Sequence, residues 1–254
     1  MWATSLPFAG RVVIMVIAGL AAGISNGVAG GGTFIVFPTM LALGVTPLAA
    51  NVSTAVGVAP SYVGGMWRFR DQITPHRRLL TQLLPSCVAG AGAGCALLFA
   101  FPATTFRVLV PWLIGAGTLL FAVAPVITRR LAHVDHTHPA RRSFLYVGVF
   151  LVAIYGGYFG AGLGILLLAV MAVSLPLELT ELQGLRYVLS TIINVAAAAV
   201  FIARGHLVGY AVVILLGSTL IGGWIGGWLM ERLSTRTIRI LIIVIGITTT
   251  VRLS

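Results

Sequence analysis

The stretch GISNGVAGGGTFIVFP, residues 23–38, decides how this chain is read. It sets five glycines and one asparagine between two apolar runs. Glycine costs about 1 kcal/mol relative to alanine inside a helix, so a greasy segment punctuated this way is predicted to break there.

The surroundings say what kind of chain is being broken. The 254 residues are 59% hydrophobic and 8% charged, with a mean hydropathy of +1.06, whereas a soluble domain needs about 25% charged residues to cover its surface. This composition is that of a polytopic all-α membrane protein. The acidic residues are Asp71, Asp135, Glu178, Glu181 and Glu231, and all sixteen basic residues are arginine. The net charge of +11 falls in short loops between apolar segments, where it orients a membrane protein, so nucleic-acid binding is set aside. Cys87 and Cys95 lie eight apart on one segment, about 12 Å along a helix and too far for a disulfide. The first apolar run, behind Arg11, resembles a signal peptide in its flanks, but it has a partner later in the chain.

Apolar runs fall near 12–29, 33–45, 48–67, 79–101 and 106–127, and again near 144–157, 162–175, 182–203, 207–230 and 237–251. The polar interruption RRLAHVDHTHPARR separates the two sets, giving repeats over 1–128 and 143–254 joined by a linker over 129–142. TFRVL at 105–109 echoes TIRIL at 237–241, and Gly90 and Gly94 echo Gly222 and Gly226, all at an offset of 132. Gly23 and Gly156 are offset by 133. Arginines 68, 70, 77 and 78, and 129, 130, 141 and 142, mark two cytoplasmic loops; Arg232, Arg236 and Arg239 mark a third. These positions require the first two segments of each half to make an even number of crossings together. The repeats are then inverted, and both chain ends face outward.

The second segment of each half has about 13 apolar residues, and the first segment of the second half is equally short, against the roughly 20 that span a bilayer. Short, glycine-interrupted segments at matching places in two repeats point to a transport site. Broken or re-entrant helices are expected there, with Gly30, Gly31, Gly32 and Thr33 at one tip and Tyr158, Gly160, Gly162 and Gly164 at the other. A helix starting near Gly32 would aim N–H groups and a positive dipole end at a small anion. The plainer alternative is close helix packing through small residues, and it is the better reading for Gly90, Gly92, Gly94 and the GGWIGGW run. The third segments add Asn51, Ser53 and Thr54 in one half and Arg186, Tyr187, Ser190 and Asn194 in the other. Arg186, Ser190 and Asn194 share a helix face. An arginine inside an apolar segment faces a cavity and marks function, unless it snorkels or pairs with Glu178 or Glu181.

GISNGVAGGG with its short helix ending at Pro38, GGYFGAGLGI at 156–165, and GLRYVLSTIINVAAAAVFIARGHL at 184–207 resemble the signatures of the TauE/SafE sulfite exporter family, also called the 4-toluene sulfonate uptake permeases. The resemblance covers nearly the whole chain. It implies a multi-pass inner-membrane carrier of small sulfur anions: sulfite, sulfoacetate, thiosulfate or aromatic sulfonates. Carried over by position, the glycine tips and the polar faces of the third segments line the pathway. Some members carry an acidic residue where Asn26 stands, which leaves substrate and coupling open.

The residues and the resemblance converge on a small anion, since an arginine and backbone N–H groups suit a cluster of oxygens. No cofactor is implied. The first five apolar segments hold no central Asp or Glu for a proton relay; coupling to a proton, to sodium, or to nothing stays open, as do a homo-oligomer and a passive channel. No H-E-x-x-H or nucleophile–base pair marks an intramembrane enzyme. The cluster His133, Asp135, His136 and His138 reads as a solvated loop, with a regulatory metal as the minor alternative. A membrane protein without transport activity is the remaining rival.

Overall fold

The computed structural model describes residues 7–28, 30–131, 141–229 and 235–253. The histidine cluster of the linker, Glu231 and Arg232 lie outside them. The first half builds α1 (Phe8–Val28), α2 (Thr33–Ala42), α3 (Pro47–Val58), α4 (Tyr62–Arg68), α5 (Arg70–Ile73), α6 (Arg77–Ala100) and α7 (Ala103–Leu131). The second builds α8 (Arg141–Tyr158), α9 (Leu163–Ser174), α10 (Leu179–Arg204), α11 (Gly209–Leu229) and α12 (Thr235–Leu253).

Among the described residues, five helical stretches are long and apolar enough to cross a membrane: Phe8–Val28, Arg70–Ala100, Ala103–Leu120, Leu179–Arg204 and Gly209–Leu229. Large apolar side chains such as Val13, Ile17, Val88, Leu119, Val213 and Trp224 stand exposed on their outer faces. A water-soluble chain would bury such continuous apolar surface; here it meets lipid, and the protein is a multi-pass membrane protein. The glycine-rich runs end where expected. The helices that follow them, α2 and α9, have only 10 and 12 residues, whereas the helix before the second break, α8, runs to 18.

Two close helix pairs tie the halves together. Gly19, Gly23 and Gly27 of α1 run alongside Ser218, Gly222 and Gly226 of α11, and Gly90 and Gly94 of α6 run alongside Phe150–Tyr158 of α8, both pairs parallel. A Cβ on Gly94 would stand 2.0 Å from the Ile154 carbonyl oxygen, so the backbones touch and dispersion replaces side-chain interdigitation. The packing reading therefore holds for Gly90, Gly94, Gly222, Gly223 and Gly226. Gly92 departs from it, with nothing within 4 Å of the place a Cβ would take.

Other contacts cross the halves in opposite directions. Tyr62 lies by Asn194, Gly65 by Tyr187, and Phe69 and Ile73 by Gly184, so α4 and α5 run antiparallel to α10. Gly115 faces Thr250 and Gly246 faces Thr118, so α7 and α12 are antiparallel as well. The third segments differ in build. The second-half member is the continuous α10, opened by a capping box in which the Glu178 N–H donates to Glu181. Its first-half counterpart is interrupted by a 3₁₀ turn at Ala59–Ser61, where Pro60 has no N–H to give the ladder and Ser61 Oγ donates to the Val58 carbonyl at 2.5 Å.

Candidate functional site

The two glycine breaks share a hydrogen-bond pattern, although Gly32 is right-handed, at φ −59°, where Gly162 is left-handed. Gly30 N–H donates five residues back to the Ser25 carbonyl at 2.9 Å, and Gly160 N–H donates five back to Tyr155 at 3.0 Å. Ile35 and Ile165 then donate to Gly32 and Gly162, both at 3.0 Å, opening α2 and α9. Gly30, Gly160 and Gly162 hold φ of +81°, +74° and +77°, a left-handed region that costs residues bearing a Cβ about 1–2 kcal/mol. The breaks correspond at an offset of 130, Gly30 to Gly160 and Gly32 to Gly162. The Gly23–Gly156 echo is not an equivalence: Gly23 packs on α11, whereas Gly156 packs on Ile193 and Leu163.

The breaks meet over Arg186. A Cβ on Gly30 would sit 3.1 Å from Arg186 Nη1 and 3.5 Å from the Gly164 Cα; one on Gly164 would sit 3.2 Å from Arg186 Cδ. The arginine, 2% exposed, lies with its guanidinium between the two tips, 4.4 Å from the centroid of the Tyr187 ring. It does not snorkel. Nor does it pair with the acidic residues at the head of its helix, because Glu181 is engaged by His76 at 2.9 Å and by the Glu178 N–H. Its Nη2 is buried with no hydrogen-bond partner among the described residues, and so are Ser190 Oγ, one turn further along α10, and Ser25 Oγ at the end of α1. Buried polar groups are nearly always satisfied, so the open guanidinium nitrogen is a place for water or a ligand.

The other candidate residues divide between this centre and its scaffold. Asn26 is a strut: its Oδ1 accepts from the Gly32 N–H at 2.6 Å and its Nδ2 donates to Ser61 Oγ at 2.9 Å. The Gly32 N–H is therefore taken by a side chain of the protein itself. Gly31 and Thr33 are buried at the head of α2. The Tyr187 hydroxyl donates to the Gly27 carbonyl, joining α10 to the last turn of α1. Asn194 Nδ2 donates to the Ser190 carbonyl at 2.9 Å, and its side chain lies by Tyr62. Asn51 Nδ2 donates to the Tyr158 carbonyl at 2.9 Å, capping the end of α8 at the second break, while Asn51 Oδ1 is left without a partner. Ser53 and Thr54 stand apart from the arginine: Ser53 Oγ accepts from the Val208 N–H at 2.9 Å, and Thr54 contacts Met40 Sδ at 3.5 Å.

Three residues of this neighbourhood carry no signal in the pattern of the sequence. Ser25 sits among the glycines as one more small residue, while Ser61 and Tyr62 follow Pro60 and read as the end of an apolar segment. Only the 3₁₀ turn brings the latter two under α1 and α10.

A family model described as "Sulfite exporter TauE/SafE" matches residues 15–253. The chain belongs to the TauE/SafE family. It is 23% identical over 248 residues to a Haemophilus influenzae protein named "Probable membrane transporter protein", covering 95% of this chain and 94% of the relative. It is also 25% identical over 247 residues to a Sinorhizobium "Probable membrane transporter protein ORF9", with 95% and 92% covered. The family match thus takes in α1 to α12, both glycine breaks and Arg186.

Proposed function

We propose that this protein is an inner-membrane secondary carrier of small sulfur-containing anions, with Arg186 as the residue that holds the anion. The observation that carries the reading is the Arg186 guanidinium, sealed between two glycine breaks with, among the described residues, one nitrogen unpartnered and no carboxylate beside it. A fork of N–H donors fits two oxygens of a sulfite, thiosulfate or sulfonate group. The Ser190 hydroxyl, on the same helix face, supplies a neutral donor. Gly30 and Gly164 let backbone approach the anion without a side chain in the way. The family match and the transporter names of both relatives support transport as the activity.

The carrier reading includes two inverted repeats. The matching hydrogen bonds of the two breaks, the antiparallel run of α4 and α5 against α10, and that of α7 against α12 support it. In such a plan the repeats rock about a site near the midplane. An arginine that is 2% exposed suits a carrier that closes over its ligand better than a pore open at both ends. Parting Gly30 from Gly164 on one side or the other would give the guanidinium to alternate faces of the membrane.

The test is uptake of labelled sulfite, thiosulfate and a simple sulfonate into proteoliposomes of the purified protein, with and without a proton or sodium gradient. Saturable flux of at least one sulfur anion, lost on Arg186→Ala in a protein that stays folded, is the expected result. Sulfur anions that do not move, or an Arg186→Ala variant that transports normally, would overturn it.

A further inference from the structure

On the outer face of α7, away from Arg186, lies a groove of about 1140 Å³ whose lining includes Pro47, Arg107, Trp112, Ala116, Leu119 and Thr250. We propose that it holds one anionic phospholipid of the outer leaflet, its phosphate on Arg107 and an acyl chain along α7.

Of the α7 residues that line the groove, Thr104, Arg107, Pro111, Gly115 and Leu119 follow one another three or four positions apart, a stripe on one helix face. Arg107 stands at one end, exposed, with no ion pair among the described residues. From Arg107 to Leu119 the helix rises about 18 Å, close to the roughly 15 Å of one leaflet of hydrocarbon. The cation therefore sits at headgroup depth while Trp112, Ala116 and Leu119 lie at acyl-chain depth. Arg107 follows the α6–α7 turn, at the far end of α6 from Arg77 and Arg78, which places it at the outer surface under the positive-inside rule.

A second copy of the chain fits this groove less well. Copies in a bilayer share one orientation, so a symmetric pair through α7 would set Arg107 against Arg107 at the same depth. The acidic residues among those described, Asp71, Glu178 and Glu181, all sit at the opposite end of the bundle, so in a second copy none of these three carboxylates would lie at the depth of the cation. A phosphate diester with a net negative headgroup meets both the charge and the apolar stem.

The test uses the whole protein purified in mild detergent from membranes containing phosphatidylglycerol and phosphatidylcholine, with bound lipid counted by native mass spectrometry. Wild type is expected to retain phosphatidylglycerol in preference to phosphatidylcholine. Arg107→Gln should reduce that retention about tenfold, the loss of one charge-assisted bond. Ala116→Phe, at an exposed position, should reduce it by filling the groove while the protein stays monodisperse. Equal retention of the two lipids, or undiminished phosphatidylglycerol in both variants, overturns the proposal. So does an Ala116→Phe variant that splits a dimer and leaves bound lipid unchanged. Anion flux is a separate readout, and its absence in wild type bears on Arg186 alone.

Discussion

Replacing Arg186 by methionine separates a structural arginine from a ligand-binding one. Met fills much of the same volume without charge. In this structure the guanidinium is buried, has an unpartnered nitrogen and faces the Tyr187 ring at 4.4 Å. That ring contact is worth about 2 kcal/mol in a desolvated site. The penalty of keeping an ion away from water is several kcal/mol after relaxation, and no carboxylate among the described residues offsets it. Taking the charge away should leave the ligand-free protein as stable as before, or more stable by about 1–3 kcal/mol. A salt-bridged arginine would behave the opposite way, since breaking a buried pair costs about 3–5 kcal/mol. Anion binding should instead suffer, because the lost charge-assisted hydrogen bonding of about 1.5–3 kcal/mol corresponds to roughly 10- to 150-fold in affinity. Thermal unfolding in detergent and concentration-dependent uptake into proteoliposomes, measured on one preparation, read both quantities. A Met variant that unfolds far below wild type, or one that transports with wild-type affinity, would refute the reasoning.

Three further outcomes are expected. Tyr187→Phe removes the hydroxyl that donates to the Gly27 carbonyl; it should cost about 1 kcal/mol of stability and slow flux more than it weakens affinity, seen as a fall in maximal rate. Gly162→Ala puts a Cβ on a residue at φ +77° and should lower stability by about 1–2 kcal/mol, read in thermal unfolding. Gly94→Val drives a side chain into the Ile154 carbonyl, 2.0 Å from the added Cβ; a loss of about 3 kcal/mol or more should appear as poor yield and aggregation in size-exclusion chromatography, with normal affinity in whatever protein folds.

Much of the candidate site can be read from residues close together in the chain. An asparagine and five glycines within a greasy segment announce a broken helix, because propensity and hydropathy are local properties. An arginine inside an apolar run announces a cavity, because the bilayer penalises a charge wherever the fold puts it. Composition alone settles the membrane class. The near-repeat of TFRVL as TIRIL hints at two halves.

Tertiary structure decided what those residues touch. The Asn26–Ser61 bond joins positions 35 apart, Asn51–Tyr158 positions 107 apart, and Tyr187–Gly27 positions 160 apart. Nothing in a local period specifies such pairs, which exist only because glycine faces let α1 and α11, and α6 and α8, close to backbone contact. Asn51, Ser53 and Thr54 look equivalent in the sequence, three polar residues on one apolar segment. Packing sends Asn51 to the second break and Ser53 and Thr54 to other neighbours. The 3₁₀ turn at Pro60 brings Ser61 and Tyr62 to the site although neither stood out beforehand. The sequence alone set an arginine inside one apolar run and glycine interruptions in two others; only the assembled bundle determined that the guanidinium would be buried between Gly30 and Gly164, with a nitrogen left without a partner among the described residues.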